Sequence, residues 1–154
     1  MAQDYNSTLN LPQTEFSMRG NLTQKEPAML ENWEKDGTYY EMVKKNEGRP
    51  RFILHDGPPY ANGDIHMGTA LNKVLKDIIV RSRNMLGYWA PYIPGWDTHG
   101  LPIELKALKE IGVENGAIPP VELRKHCLEY ALKQVDNQRK QFQRLGVWGD
   151  IKYP

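Results

Sequence analysis

The chain has 154 residues and a mass of 17.8 kDa, and its 20 Lys plus Arg against 19 Asp plus Glu leave a net charge of +1 with pI ≈ 7.8. That length is one ordinary domain able to bury a core, and so even a balance supplies no broad electrostatic footprint for wrapping nucleic acid, so any RNA contact must be local or lie outside this chain. Apolar runs of only a few residues exclude a bilayer span, which needs roughly 20; Met1 to Asn10 has neither the basic nor the apolar stretch of a secretory signal; and the lone Cys127 excludes an internal disulfide framework and fits a reducing cytosol.

Residues 1–20 carry Leu9, Leu11, Phe16 and Met18 without a sustained period and read as an extended arm. Thr23 with Glu26 is a capping-box pair, and Met29, Leu30, Trp33 and Tyr40 recur near helical spacing, so a helix is predicted over Gln24–Asp36, ended or interrupted by Gly37. Of the 24 Gly and Pro residues, 13 fall between Gly48 and Pro102, where backbone geometry is the theme. Arg51–His55 is a short β-rich run stopped by Asp56-Gly57-Pro58-Pro59 and reads as a buried strand. From His66 to Leu86, Leu71, Val74, Leu75, Ile78, Ile79, Ser82 and Met85 line one face of an amphipathic helix about 30 Å long. Gly87 closes it, and Tyr88–Pro94 is a second β-prone segment leading into Gly95-Trp96-Asp97-Thr98-His99-Gly100.

Strand, loop, helix and strand compose one parallel βαβ unit. Its expected crossover is right-handed, with both loops at the strands' carboxyl ends, where open α/β sheets bind ligands. Two further helices are predicted, Pro102–Ile111 and Val121–Leu145, the second carrying Leu128, Ala131, Val135, Phe142 and Leu145 on one stripe behind Pro119-Pro120. Two strands do not close a sheet, so the fold expected is α/β, the first half of a Rossmann-like nucleotide-binding fold with flanking helices.

The chemistry concentrates in Gly57-Pro58-Pro59-Tyr60-Ala61-Asn62-Gly63-Asp64-Ile65-His66-Met67-Gly68-Thr69, which joins the first strand to the amphipathic helix. Helix starts expose unpaired N–H groups and partial positive charge, so Gly68 and Thr69 can aim backbone donors at a phosphate that the missing Cβ of Gly68 lets approach, with His66 adding a side-chain donor. Neither a Walker loop nor a Gly-x-Gly-x-x-Gly fingerprint is present. A Gly/Pro-rich turn capped by Asp64 is the other reading of the same residues.

In context these residues resemble the amino-terminal catalytic segment of the class I aminoacyl-tRNA synthetases. His66-Met67-Gly68-Thr69 stands where that class has its His-x-Gly-His signature. The runs GPPYANGDIHMG and ALNKVLKDIIVRSRNMLGYWAPYIPGWDTHGLPIE are similar to the isoleucyl members specifically, from about Leu11 to the end of the chain. Valyl relatives are the nearer competitor. The resemblance implies residues 1–48 as an N-terminal arm and helix, and 49–154 as the first half of the catalytic domain, stopping before the editing domain. It implies ATP with Mg2+ as substrate, L-isoleucine and tRNA(Ile) as further partners, a cytoplasmic enzyme that is monomeric when complete, and no membrane.

By motif match His66 would hydrogen-bond the phosphates, Gly68 would let adenine lie against the backbone, Asn62 would hold the loop and phosphates, and Gly57, Pro58 and Tyr60 would wall the amino-acid pocket. Asp97 would pair with the α-ammonium, the chemically sensible partner for a carboxylate facing a crevice; His99 beside it is read as structural.

One departure matters. Thr69 replaces the second His of the signature, and its short, uncharged hydroxyl is not expected to reach a pyrophosphate oxygen that an imidazole would contact. Losing a hydrogen bond to a charged group costs about 1.5 to 3 kcal/mol, roughly ten- to a hundredfold in rate. The Lys-Met-Ser-Lys-Ser loop, the second half of the sheet, the editing pocket and the anticodon-binding helices of the family do not occur in this sequence, so the chain alone is expected to be inactive or weakly active. A truncated paralogue acting as a binding module is the alternative from another class. Elsewhere, Trp33, Trp89, Trp96 and Trp148 read as packing rather than base-stacking residues, and Met67 as a core filler. Four histidines and Cys127 lack any zinc-ligand spacing, so no metal site is expected. Lys76, Arg81, Arg83, Lys133, Arg139, Lys140 and Arg144 read as solvated helix faces.

Overall fold

A computed structural model describes residues 5–10, 14–15 and 19–151. The predicted extended arm lies partly outside them, including Leu11, Phe16 and Met18; Asn6–Thr8 forms a single 3-10 turn. Five α-helices follow: α1 (Leu22–Lys35), α2 (Thr38–Lys45), α3 (Met67–Met85), α4 (Leu101–Ile111) and α5 (Pro120–Arg144). Each begins or ends on punctuation visible in the sequence. Pro119 sits at the N-cap of α5, Gly112 closes α4, and Gly37 separates α1 from α2 in the left-handed region at φ 61°, where a Cβ would be strained. The capping box at Thr23 does not form: Asn21 takes the N-cap of α1 and Thr23 lies inside the first turn.

α4 packs along α5, and α1 touches α2 and α5. The core has two parts joined by the Trp96 indole. Ala61, Ile103, Ala131 and Val135 form one; Val80, Tyr92, Phe142 and Val147 form the other, with Leu54 and Ile65 packed on its edge.

The amphipathic helix is inverted relative to expectation. The buried residues of α3 are Lys73, Asp77, Val80 and Asn84, spaced as one helical face, while Leu71 (59% exposed), Leu75, Ile78 (56% exposed) and Met85 face outward. Periodicity identified a face without saying which side the fold covers. The inward polar groups are all engaged, as burial demands. Asp77 accepts from Arg81 Nε at 2.6 Å and from the Trp148 amide at 2.8 Å. Asn84 donates to the carbonyls of Val80 and Ala90 at 3.0 and 2.8 Å, and Asn46 of the α2 C-cap donates to its carbonyl and side-chain oxygens at 2.9 and 3.2 Å.

The expected α/β fold, with a parallel βαβ unit as half of a Rossmann-like sheet, does not form. Among the described residues there is no sheet: the segments around 51–60 and 89–97 meet only at two isolated parallel bridges, Arg51 with Trp89 and Tyr60 with Asp97. The reason is the supply of backbone partners. Pro91 and Pro94 have no N–H to give a ladder. Asn84 takes the Ala90 carbonyl, and the Tyr39 hydroxyl both accepts from the Tyr92 amide and donates to the Tyr92 carbonyl, each at 2.9 Å. The Asp150 amide also donates to that carbonyl at 2.8 Å. Side chains thus do what a neighbouring strand would otherwise do. The bridges also differ by one residue in register, so no continuous ladder could join them.

Where the first extended segment ends, the Asp56 carboxylate is hydrogen-bonded by Lys73 and Lys76 of α3 and by the Tyr92 hydroxyl. Lys73 is 2% exposed. Burial opposes ionisation of Asp56, but the three donors outweigh it and hold its carboxyl below the usual range. Burial first, and then the Asp56 carboxylate, push the Tyr92 phenol far up.

Two measurements check this arrangement. Tyr39→Phe removes the hydroxyl shared by the Tyr92 amide and carbonyl and is expected to cost about 1–3 kcal/mol in urea unfolding. Because the Asp56 carboxyl is depressed in the folded state, its contribution is full above the ordinary carboxylate value of about 4 and is lost as pH falls through the lower folded value. Asp56→Asn should lower stability at pH 7 by about 3–5 kcal/mol, since it leaves Lys73 buried without its counter-charge. It should also flatten the acid limb of the urea midpoint between pH 5 and 2, and an unchanged limb would show that Asp56 does not carry it.

Candidate functional site

The site is built from two loops. The first leaves the extended segment at Asp56 and enters α3 at His66; the second runs from Gly95 to Gly100 and enters α4. They are joined through backbone: the Ala61 amide donates to the Asp97 carbonyl and the Asp97 amide to the Pro59 carbonyl, both at 2.9 Å. This pairing is the bridge that sets Tyr60 beside Asp97. Tyr60 is half exposed, Gly57 and Pro58 are exposed, and Asn62 and Asp97 are half-buried. The Asp97 carboxylate accepts from the His99 amide at 3.2 Å, an Asx turn that fixes its direction locally.

At the start of α3, His66 is the N-cap residue, and its Nδ1 accepts from the Thr69 amide at 3.2 Å. A neutral ring that accepts at Nδ1 carries its proton on Nε2, so the free nitrogen is a donor. The absence of a side chain at Gly68 makes this possible, since a Cβ there would sit 3.0 Å from His66 Cε1 and 3.1 Å from Nδ1. The Thr69 amide, expected as a free donor to an anion, is therefore occupied by the protein itself. Asp64 is not the cap either; it accepts from Asn137 and Gln141 of α5, each at 2.7 Å, and these hold its carboxyl below the usual value. Met67, expected as a core filler, is 84% exposed.

α5 fixes both loops. Gln138, 3% exposed, donates to the carbonyls of Tyr60 (2.9 Å) and Gly63 (2.7 Å) and accepts from the Trp96 indole (3.0 Å). Gln141 accepts from the Ile65 amide at 2.9 Å. Sequence reading missed Asp56, Lys73 and this amide row. The available signal was a glutamine at a core position of the Ala131, Val135, Phe142 stripe.

The tryptophans pack. Trp33 and Trp148 meet edge to face at 5.2 Å, with the Arg81 guanidinium 3.9 Å from the Trp148 ring, so Arg81 is not a solvated residue. Lys76 likewise is bound to Asp56. Among the described residues no group of three or more His, Cys, Asp or Glu could hold a metal ion, and no helix is long and apolar enough to cross a membrane. A crevice of about 240 Å³ beside Trp33, Tyr39 and Trp148, and one of about 160 Å³ between Ala107 and Tyr130, are lined by no residue of either loop.

The chain is similar to isoleucine-tRNA ligases. It is 59% identical over 151 residues to that of Desulfitobacterium hafniense (strain Y51) and 60% identical to that of Carboxydothermus hydrogenoformans, covering 98% of this chain and 16% of each relative. With the ligase of Syntrophomonas wolfei it shares 60% identity over 150 residues, 97% of this chain and 16% of that one. The chain thus spans about a sixth of the length of these relatives. Residues 28–154 match the family described as tRNA synthetases class I (I, L, M and V). Since that match takes in most of the chain, it belongs to the class I tRNA synthetase family.

Proposed function

We propose that the chain supplies the ATP- and amino-acid-binding part of an isoleucine-tRNA ligase, with residues 49–154 as the catalytic portion and 1–48 as the segment preceding it. The relatives' shared name supports the substrate, and one observation carries the chemistry: the backbone pairing that sets Tyr60 beside Asp97 and so unites the two loops.

The reaction is in-line attack of the isoleucine carboxylate on the α-phosphorus of ATP, forming the acyl-phosphate bond of isoleucyl-adenylate and releasing pyrophosphate. A ribose hydroxyl of tRNA(Ile) then takes the acyl group and AMP leaves. Such a reaction asks the protein mostly to position reactants and neutralise charge. Gly57, Pro58 and Tyr60 wall the amino-acid side, and Asp97 pairs with the α-ammonium. His66 donates from Nε2 to the phosphates, Asn62 and Gly68 shape the ATP contact, and Thr69 stands where a longer donor would reach pyrophosphate. Mg2+ enters with ATP as part of the substrate. The enzyme works as a cytoplasmic monomer.

The test is a chimera in which this chain replaces the matching sixth of the Desulfitobacterium hafniense ligase, assayed by amino-acid-dependent pyrophosphate exchange. Isoleucine should drive exchange in preference to valine; the reverse order would assign a valyl relative, and no exchange a binding module. Thr69→His should raise the rate by roughly ten- to a hundredfold, the worth of one hydrogen bond to a charged group. Equal rates would remove position 69 from the chemistry. Asp97→Asn should weaken isoleucine by a similar factor, about ten- to a hundredfold in KM, while leaving the KM for ATP within about twofold.

A further inference from the structure

Gln138 is a side chain whose hydrogen bonds reach both loops. It is 3% exposed, far along α5 from either loop in sequence, and its amide capacity is filled in one orientation only. Both Nε2 hydrogens go to the first loop, to the Tyr60 carbonyl at 2.9 Å and the Gly63 carbonyl at 2.7 Å. Its Oε1 takes the Trp96 indole hydrogen of the second loop at 3.0 Å. Turning the amide over would set NH2 against the indole N–H and oxygen against two carbonyls, so the contacts define a unique arrangement. Tyr60 and Trp96 are the residue paired with Asp97 and its immediate neighbour. Two other α5 amides grip elsewhere: Asn137 and Gln141 hold Asp64, and Gln141 also the Ile65 amide, at the approach to α3.

We propose that Gln138 is a positioning residue for amino-acid recognition, setting the distance between the Tyr60 wall and the Asp97 carboxylate by bonding both loops at once. The proposal rests on the isoleucine-activation reading and adds to it the residue that sets the pocket's width. Gln138 touches no substrate. Its effect passes through the Tyr60 and Gly63 carbonyls and the Trp96 indole. Tyr60 and Trp96 flank the amino-acid half of the site, where the effect falls, because beyond Gly63 the turn into α3 has its own anchors at Asp64 and Ile65.

The same chimera tests this with enzyme concentrations normalised by active-site titration. Gln138→Leu, similar in size and without hydrogen bonds, should raise the KM for isoleucine by about tenfold or more and leave the KM for ATP within about twofold. Gln138→Glu keeps the indole acceptor but turns no donor toward the two carbonyls, and it should give the same split if the leucine variant does not fold. In the chain itself, labelled with 15N-tryptophan, the Trp96 indole proton signal should move in Gln138→Leu and stay near its place in Gln138→Glu. Equal changes in both KM values, a loss of active sites with KM values unchanged, or an unmoved indole signal in Gln138→Leu would each overturn the assignment. If the unsubstituted chimera shows no isoleucine-dependent exchange, the activation reading itself fails and takes this role with it; if it exchanges normally and the variants match it, only Gln138 is dismissed.

Discussion

A carboxylate buried at the end of an extended segment organises this chain. Asp56 brings two lysines of α3 and the hydroxyl of Tyr92 to one point, so that three stretches of backbone meet there. A buried charge is tolerated only with partners, so the segment before Gly57, the middle of α3 and the segment at Tyr92 cannot separate without stranding Lys73. Asp77 and Asn84 extend the same logic along the helix, the first to Arg81 and the Trp148 amide, the second to Asn46 and Ala90. Apolar packing fills the space beside Val80 and Phe142, but the directional contacts decide which segment lies where.

Four of the five helices were legible because their boundaries are written in residues with fixed backbone preferences; α2, beyond Gly37, was not predicted. Pro119 and Gly112 act through φ alone, and no distant contact can alter that. The inward face of α3 was not legible. A period of 3.6 groups Leu71 with Ile78 and Lys73 with Asp77, yet the choice of buried group depends on whether partners exist for the charged set, and Asp56, seventeen residues away, is one of them. The sheet failed for a related reason. Valine-like and aromatic runs mark extended backbone, whereas pairing needs free N–H and C=O groups, and at Tyr92 these are taken by a tyrosine fifty-three residues earlier.

For the site, the loop residues announced themselves through density of Gly, Pro and short polar side chains, and the resemblance attached roles to them. Their support did not. Gln138 looks like any glutamine of a long polar helix until its place among Ala131, Val135 and Phe142 is noticed, and nothing local says that it reaches Tyr60 and Trp96. Polar groups that hold other polar groups in place are specified by three-dimensional neighbours, so they are the last part of a site that a single sequence discloses.

The histidine that caps the start of α3 has a further consequence. Its Nδ1 lone pair already occupies the Thr69 amide, and Gly68 leaves it room to do so. An anion arriving at that helix end therefore takes part in an exchange, not an addition: it must evict a nitrogen before its own oxygen can take the same hydrogen. The net attraction is the difference between two acceptors for one donor, and the displaced neutral ring, once swung aside, can offer the anion only its protonated nitrogen.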